Sequence, residues 1–190
     1  PVTITKRMVD LSLALVAAVV LFIPACLVAL AVRKQSHGPA LYWSARIGRN
    51  NTIFYMPKFR TMHMNTPVVA THLLQDPESL LTPNGSFLRT SSLDELPQLW
   101  SIIKGDMSFV GPRPALYNQH DLIKLRSTYG VQQLVPGLTG WAQVNGRDGL
   151  VVAQKVAFDA AYVHRYSLCF DVKVLWMTLR QVVKRDGVEH

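Results

Sequence analysis

A chain of 190 residues can bury one core, so a single catalytic or binding domain is the expectation. Its formal net charge of +8 points to an anionic partner: nucleic acid, lipid headgroups or a phosphorylated small molecule. With only two cysteines and no C-x-x-C, H-E-x-x-H, P-loop or G-x-G-x-x-G pattern, the composition argues against disulfide and zinc scaffolds and against P-loop or Rossmann chemistry.

The charge is unevenly placed. Through Gln75 the chain holds eight basic residues, Lys6, Arg7, Arg33, Lys34, Arg46, Arg49, Lys58 and Arg60, against one acid, Asp10. Between the basic pairs Lys6-Arg7 and Arg33-Lys34, the run Leu11 to Val32 is uncharged. As one straight helix it would measure roughly 33 Å, enough for a hydrocarbon core of about 30 Å. Pro24 interrupts it by removing a backbone hydrogen bond, which leaves two halves too short to cross alone. Positive flanks at both ends favour one cytoplasmic face for both, so a re-entrant helix-break-helix with Pro24 at the break is the leading expectation. A spanning helix and a secretory signal with a weak lipobox at Cys26 stay open as alternatives. The expected division is a membrane anchor over 1–36 and a cytoplasmic domain over 37–190.

After Gly38-Pro39, the segments Ala40 to Trp43 and Thr52 to Phe59 read as a β-hairpin around Gly48-Arg-Asn-Asn51. Asn65 to Gly85 reads as loop with a helical turn near Ala70 to Leu74. Ser91 to Ile103 reads as a helix start with an amphipathic continuation. Val110 to Pro114 and Val135 to Gly146 are punctuated by Gly and Pro and read as loops that wall a site. Val151 to Tyr166 and Asp171 to Val183 have helical periodicity. Their aromatic residues Phe158, Tyr162, Tyr166, Phe170 and Trp176 either line a membrane-interfacial face or pack in the core. The fold class is α+β, mainly helical.

Asp94-Glu95 is the one tight acidic pair flanked by such turns. Ser92-Leu-Asp-Glu95 fits an S-x-x-E capping box, in which Glu95 only bonds the backbone. In either register the pair sits at a helix N-terminus, which is expected to lower the pKa of Asp94 and keep it ionised. A carboxylate so placed serves as nucleophile or Mg²⁺ ligand. Lys58, Arg60, Arg89, Arg113 and Arg147 each lie in or beside a turn rich in Gly, Pro or Ser. Guanidinium groups grip phosphate oxygens at two points, so five cations around one acidic pair suit a diphosphate substrate.

Four runs are long and in order: Lys6-Arg7-x-x-Asp10, Lys58-Phe-Arg-Thr-Met, Ser92-Leu-Asp-Glu-Leu-Pro-Gln-Leu and Gly105-Asp-Met-Ser-x-Val-Gly-Pro-Arg-Pro. With them the chain resembles, over nearly its whole length, the bacterial sugar transferases, the monotopic phosphoglycosyl transferases that act on polyprenyl phosphate. It looks like the family's minimal form. The resemblance implies that Asp94 attacks the β-phosphate of a UDP-sugar and releases UMP. Polyprenyl (undecaprenyl) phosphate then takes the phosphosugar, which initiates a bacterial glycoconjugate. It further implies Mg²⁺ at Asp94 and Glu95, with Glu95 either helping to hold the ion or assisting proton removal from the acceptor, and phosphates held by Lys58, Arg89, Arg113 and Arg147. The implied location is the cytoplasmic face of the inner membrane among its lipids, as a homodimer if two copies pair. The expected donor is a UDP-linked N-acetylated sugar, and nucleic acid is not an expected partner. Two departures stand out. Ile23 replaces a Ser beside the breaking proline, and Ser44-Ala-Arg46-Ile-Gly48 replaces Gln-x-Arg-Val-Gly, with no catalytic task expected of Arg46. The competing expectation is a membrane-bound anion- or nucleic-acid-binding module without catalysis.

Overall fold

The computed structural model describes residues 3–67, 69, 76–146 and 149–184. The helical turn expected near Ala70 to Leu74 lies outside the described residues. Helix dominates, with one small antiparallel hairpin, as the sequence suggests.

Thr3 starts the first helix by accepting the Lys6 backbone N–H on Oγ1 at 3.2 Å. Helix α1 (Ile4–Val20) and helix α2 (Phe22–Gln35) meet at a 62° bend. The break centres on Leu21 rather than on Pro24. Pro24 is the third residue of α2, where a missing N–H leaves no intrahelical bond unmade. Its ring instead excludes the carbonyl four residues upstream, that of Val20, and α1 ends at Val20. Among the described residues no single helix is long and apolar enough to cross a membrane. The bent pair together meets that length and composition. Much of the pair's apolar surface is exposed, including Val16, Val19, Phe22, Ile23 and Leu27.

The two helices are also packed into the body of the protein. Ala14 of α1 is fully buried against Phe54, Met56, Ile102 and Met107. Val32 of α2 is buried with Phe59 and Leu88. Neither Lys6 nor Arg7 is a free flanking charge. Lys6 is 4 % exposed, and its Nζ donates to Asp171 Oδ2 at 2.6 Å and to the Val110 carbonyl at 2.8 Å. Arg7 donates at 2.6 Å to each of the Ile102 and Ile103 carbonyls, near the C-terminal end of the helix Leu99–Lys104.

The hairpin pairs β1 (Leu41–Ile47) with β2 (Ile53–Phe59) antiparallel, with Tyr42 opposite Lys58 and Arg46 opposite Phe54. Its first strand runs farther than the expected Ala40 to Trp43. Asn50 and Asn51 make the turn with φ of 55° and 59°, a conformation asparagine tolerates. Cross-strand partners share a face, so Tyr42, Ser44, Arg46, Phe54, Met56 and Lys58 lie on one face, where Ser44, Phe54 and Met56 are buried and Tyr42 is exposed.

Helix α3 (Gly85–Thr90) leads to a 3₁₀ helix at Leu93–Gln98 and then to α4 (Leu99–Lys104). Gly105 stops α4 in the left-handed region at φ 100°. Of the two segments expected to be loops, the first follows directly on a short strand that ends at Val110, and the second contains a strand and a short helix. β3 (Ser108–Val110) and β4 (Gly137–Thr139) pair in parallel. Glycine permits that contact: a Cβ at Gly137 would overlap the Gly111 backbone nitrogen, and one at Gly140 the Gly111 carbonyl oxygen. Helices α5 (His120–Thr128), α6 (Trp141–Val144), α7 (Val152–Arg165) and α8 (Leu168–Lys184) complete the body. Tyr162, Tyr166 and Phe170 pack together with Trp141 beneath β3. Those aromatics are therefore core, and the exposed apolar stripe of α8 consists of Leu168, Val172, Trp176, Leu179 and Val182.

Candidate active site

The acidic pair enters through strained backbone. Ser92 precedes the 3₁₀ helix at φ 57° and ψ 17°, a left-handed conformation that costs a non-glycine residue roughly 1–2 kcal/mol. No capping box forms. The Ser92 side chain caps nothing, and the Glu95 carboxylate goes to distant cations. Ser92→Gly is therefore expected to keep or raise the melting temperature. Ser92→Val is expected to lower it, because a β-branched side chain suits this conformation less. Thermal unfolding of the two variants side by side checks the sign.

Both cations that hold Glu95 use the same oxygen. Lys58 Nζ and Arg113 Nη2 each donate to Oε1 at 2.7 Å. Lys58 comes from the inner face of β2, and Arg113 from the Gly-Pro-Arg-Pro turn after β3. Asp94 is treated differently. It is 7 % exposed, its nearest cation is Lys58 Nζ at 3.7 Å, and its carboxylate accepts no hydrogen bond among the described residues. Arg89, on α3, donates from Nε to Thr61 Oγ1 at 3.0 Å and also acts electrostatically on Asp94. Burial lowers the Arg89 pKa, and Asp94 partly restores it.

These environments separate the two carboxyl groups. For Asp94, burial is the largest influence and raises the pKa above the usual aspartate range, with Lys58 opposing. The expectation of a lowered Asp94 pKa is thus reversed: the helix start is 3₁₀ and short, and desolvation outweighs it. Burial also works against ionised Glu95, but Arg113 and Lys58 more than offset it and hold this carboxyl well below the usual range. One site therefore keeps Glu95 charged and bound to its cations. It leaves Asp94 as a poorly solvated carboxylate with free oxygens.

Arg113 is itself held in place. Arg126 of α5 donates from Nη1 to the Arg113 carbonyl at 2.8 Å, and from Nε and Nη2 to Asp159 Oδ2 at 3.0 and 2.7 Å. Asp159, on α7, is 1 % exposed. Sequence reasoning missed Arg126 because its partners lie 13 and 33 residues away. Arg46 was given no task, yet its Nε donates to Ser44 Oγ at 3.0 Å and its Nη1 to the Pro114 carbonyl at 3.1 Å. Burial, and then neighbouring Arg113, push its pKa down to about 10, with Glu95 and Tyr42 opposing.

Of the expected phosphate ligands, Lys58, Arg89 and Arg113 converge on the acidic pair. Arg60 does not. Its guanidinium donates to the Ser36 carbonyl and hydroxyl at 2.9 and 2.8 Å and to the His37 carbonyl at 2.5 Å, which fastens the exit of α2. Arg147 lies outside the described residues.

A family model described as bacterial sugar transferase matches residues 2–185. An undecaprenyl-phosphate galactose phosphotransferase of Salmonella typhimurium is 38 % identical over 165 residues, covering 79 % of this chain and 34 % of that protein. A UDP-glucose:undecaprenyl-phosphate glucose-1-phosphate transferase of Escherichia coli is 37 % identical over 183 residues, covering 92 % of this chain and 39 % of that protein. The chain thus spans less than half the length of these two relatives. The uncharacterized sugar transferase EpsL of Bacillus subtilis is 36 % identical over 191 residues, covering 98 % and 91 % of the respective chains. With the family model matching nearly every residue, this protein belongs to the bacterial sugar transferases.

Proposed function

We propose that the protein transfers a sugar-1-phosphate from a UDP-sugar to polyprenyl phosphate through a covalent intermediate on Asp94. The observation that carries this reading is the division of labour in the acidic pair. Glu95 absorbs two cations on one oxygen, while buried Asp94 accepts no hydrogen bond among the described residues and faces Lys58. In the first step an Asp94 oxygen attacks the β-phosphorus, the bond from that phosphorus to the bridging oxygen breaks, and UMP leaves. In the second a phosphate oxygen of the polyprenyl acceptor attacks the same phosphorus and the Asp94 carboxylate departs, giving polyprenyl-diphosphate-sugar. Splitting the transfer in this way lets one carboxylate serve both halves. Lys58, Arg89 and Arg113 hold the phosphate oxygens throughout. The two relatives named above carry undecaprenyl phosphate in their names, with galactose or glucose, so the donor test must include those sugars beside N-acetylated ones.

Mg²⁺ fits the donor set. Glu95 Oε2 and both Asp94 oxygens are without hydrogen-bond partners among the described residues. Mg²⁺ characteristically takes one or two carboxylates together with substrate phosphates and water. Held by these residues, the ion supplies positive charge that offsets a carboxylate meeting a diphosphate.

The anchor is re-entrant in this reading. Lys6, near the start of α1, is pinned to Asp171, and the exit of α2 is pinned by Arg60. Both ends of the bent pair therefore sit on one body, and its exposed apolar residues enter the bilayer from the cytoplasmic side. A nucleic-acid module is less well supported. Exposed Trp43 and Tyr55 lie on the hairpin face opposite Lys58 and Arg46, so bases stacked there would not meet those cations.

UMP release from detergent-solubilised protein, with undecaprenyl phosphate, Mg²⁺ and a panel of UDP-sugars, tests the reading. Acceptor-dependent UMP release with at least one sugar, lost on chelation, is the expected result. Silence across the panel from folded protein would overturn it.

A further inference from the structure

Arg46 remains unexplained by the two-carboxylate site. Most of the neighbouring cations have anionic or carbonyl partners: Lys58 and Arg113 hold Glu95, Arg126 holds Asp159, and Arg60 is used on carbonyls, while Arg89 donates to the Thr61 hydroxyl and acts on Asp94. Among the described residues Arg46 forms no ion pair within 4 Å with a carboxylate. Its Nε and Nη1 fix the guanidinium plane on Ser44 and Pro114, while Nη2 makes no hydrogen bond among the described residues. Nη2 is not fully buried. Two contacts place it. Arg46 shares one face of the hairpin with Lys58, and the carbonyl it binds belongs to the residue after Arg113. A second guanidinium thus stands on the Arg113 side of Glu95, while Arg89 stands on the Asp94 side.

Glu95 acts on Arg46, but its Oε1 is already shared by Lys58 and Arg113, so the two neighbouring guanidiniums still carry uncompensated charge that a further anion would offset. We infer that Arg46, with Arg113, forms a subsite for a phosphate monoester, occupied by the α-phosphate of departing UMP and by the phosphate of the incoming polyprenyl acceptor in turn. The inference rests on the two-step reading above. In that reading the reacting phosphorus stays at Asp94 while one monoester leaves and another arrives. A single monoester subsite serves both, and the planar fork of Arg46 is pre-set by Ser44 and Pro114 to meet it. Sequence reasoning gave this residue no catalytic task, since its run departs from the Gln-x-Arg-Val-Gly pattern and its carbonyl partner is 68 residues away.

The test compares full-length wild type, Arg46→Gln and Arg46→Lys in detergent. UMP affinity is read by calorimetry, and the KM for undecaprenyl phosphate is read from turnover. Arg46→Gln is expected to weaken UMP binding roughly 10- to 100-fold, the usual loss for a charge-assisted hydrogen bond. Arg46→Lys, which keeps the charge without the fork, is expected to fall between. A rise in acceptor KM alongside confirms a shared subsite, and a rise in only one of the two assigns the anion to that ligand. If both are unchanged in folded Arg46→Gln while wild type turns over, the inference is wrong and the transfer reading survives. If no UDP-sugar is turned over but UMP binding still depends on Arg46, the subsite stands and the transfer reading fails. Should Arg46→Gln not fold, an unchanged UMP affinity in Arg46→Lys overturns the inference.

Discussion

Asp94→Asn is expected to lower UMP release by roughly 10³-fold or more while the protein stays folded, because an amide cannot form the phosphosugar ester. Its stability should move the other way. Burial raises the Asp94 pKa above its ordinary 3.8, so the native state binds that proton more tightly than the unfolded chain does. Stability contributed by this group therefore falls as pH rises from the unfolded value through the raised native one. Asparagine removes that burden, and the variant's melting temperature at neutral pH should equal or exceed that of wild type. Glu95 has the opposite sign. Its native pKa is depressed, so its contribution is full above the ordinary 4.5 and is lost as pH falls toward the native value. Turnover should decline on acidification from a higher pH than an unperturbed aspartate would set. Retained UMP release by Asp94→Asn would remove Asp94 from the nucleophile's role.

The second large effect lies far from the chemistry. Lys6→Met is expected to destabilise the protein by roughly 3–5 kcal/mol, the usual loss when one member of a buried ion pair is removed. That is a large share of a typical domain's stability. Lys6 and Asp171 have side chains 4 % and 9 % exposed and meet at 2.6 Å, with Tyr162 donating to the other Asp171 oxygen at 2.5 Å. Truncating Lys6 leaves that carboxylate buried with the phenol as its remaining hydrogen-bond donor. Burial, and then the bond to Asp171, push the Tyr162 pKa far up, so the phenol remains a donor across the working pH range. Lys6→Met combined with Asp171→Leu should recover part of the loss, since it removes the uncompensated charge. Denaturant unfolding of the single and double variants measures this coupling. Strict additivity would show that the pair does not hold α1 to α8.

The contrast between these two sites explains what could be read without coordinates. The hairpin and the helices α7 and α8 were legible because their signals are local: β-branched and aromatic residues around an Asn-containing turn, and 3.6-residue periodicity. Asp94, Lys58, Arg89 and Arg113 could be singled out as candidates because the acidic pair is unique and each cation lies in or beside a turn rich in Gly, Pro or Ser, and the structure brings them together. What failed was reasoning that stopped at near neighbours. The capping box at Ser92 satisfies every local rule, yet Glu95 finds Lys58 and Arg113 at separations of 37 and 18 residues, and these ion pairs win. Lys6-Arg7 reads as a membrane-flanking pair until Lys6 meets Asp171, 165 residues away. The bend lies at Leu21 because proline acts on the carbonyl four residues before it, so marking the break at Pro24 displaced it. The β3–β4 pairing escaped notice because glycines that look like loop punctuation are there to let two backbones touch.

The account turns on a covalent phosphosugar at Asp94. The measurement is made with a UDP-sugar that supports turnover, labelled at its β-phosphate, mixed with enzyme and Mg²⁺ without acceptor. The quenched protein is then mapped by peptide mass. The account predicts label on the peptide containing Asp94, absent from Asp94→Asn, and discharged when undecaprenyl phosphate is added before the quench. Full acceptor-dependent UMP release with no label on the protein at any time would show direct transfer between substrates and contradict it.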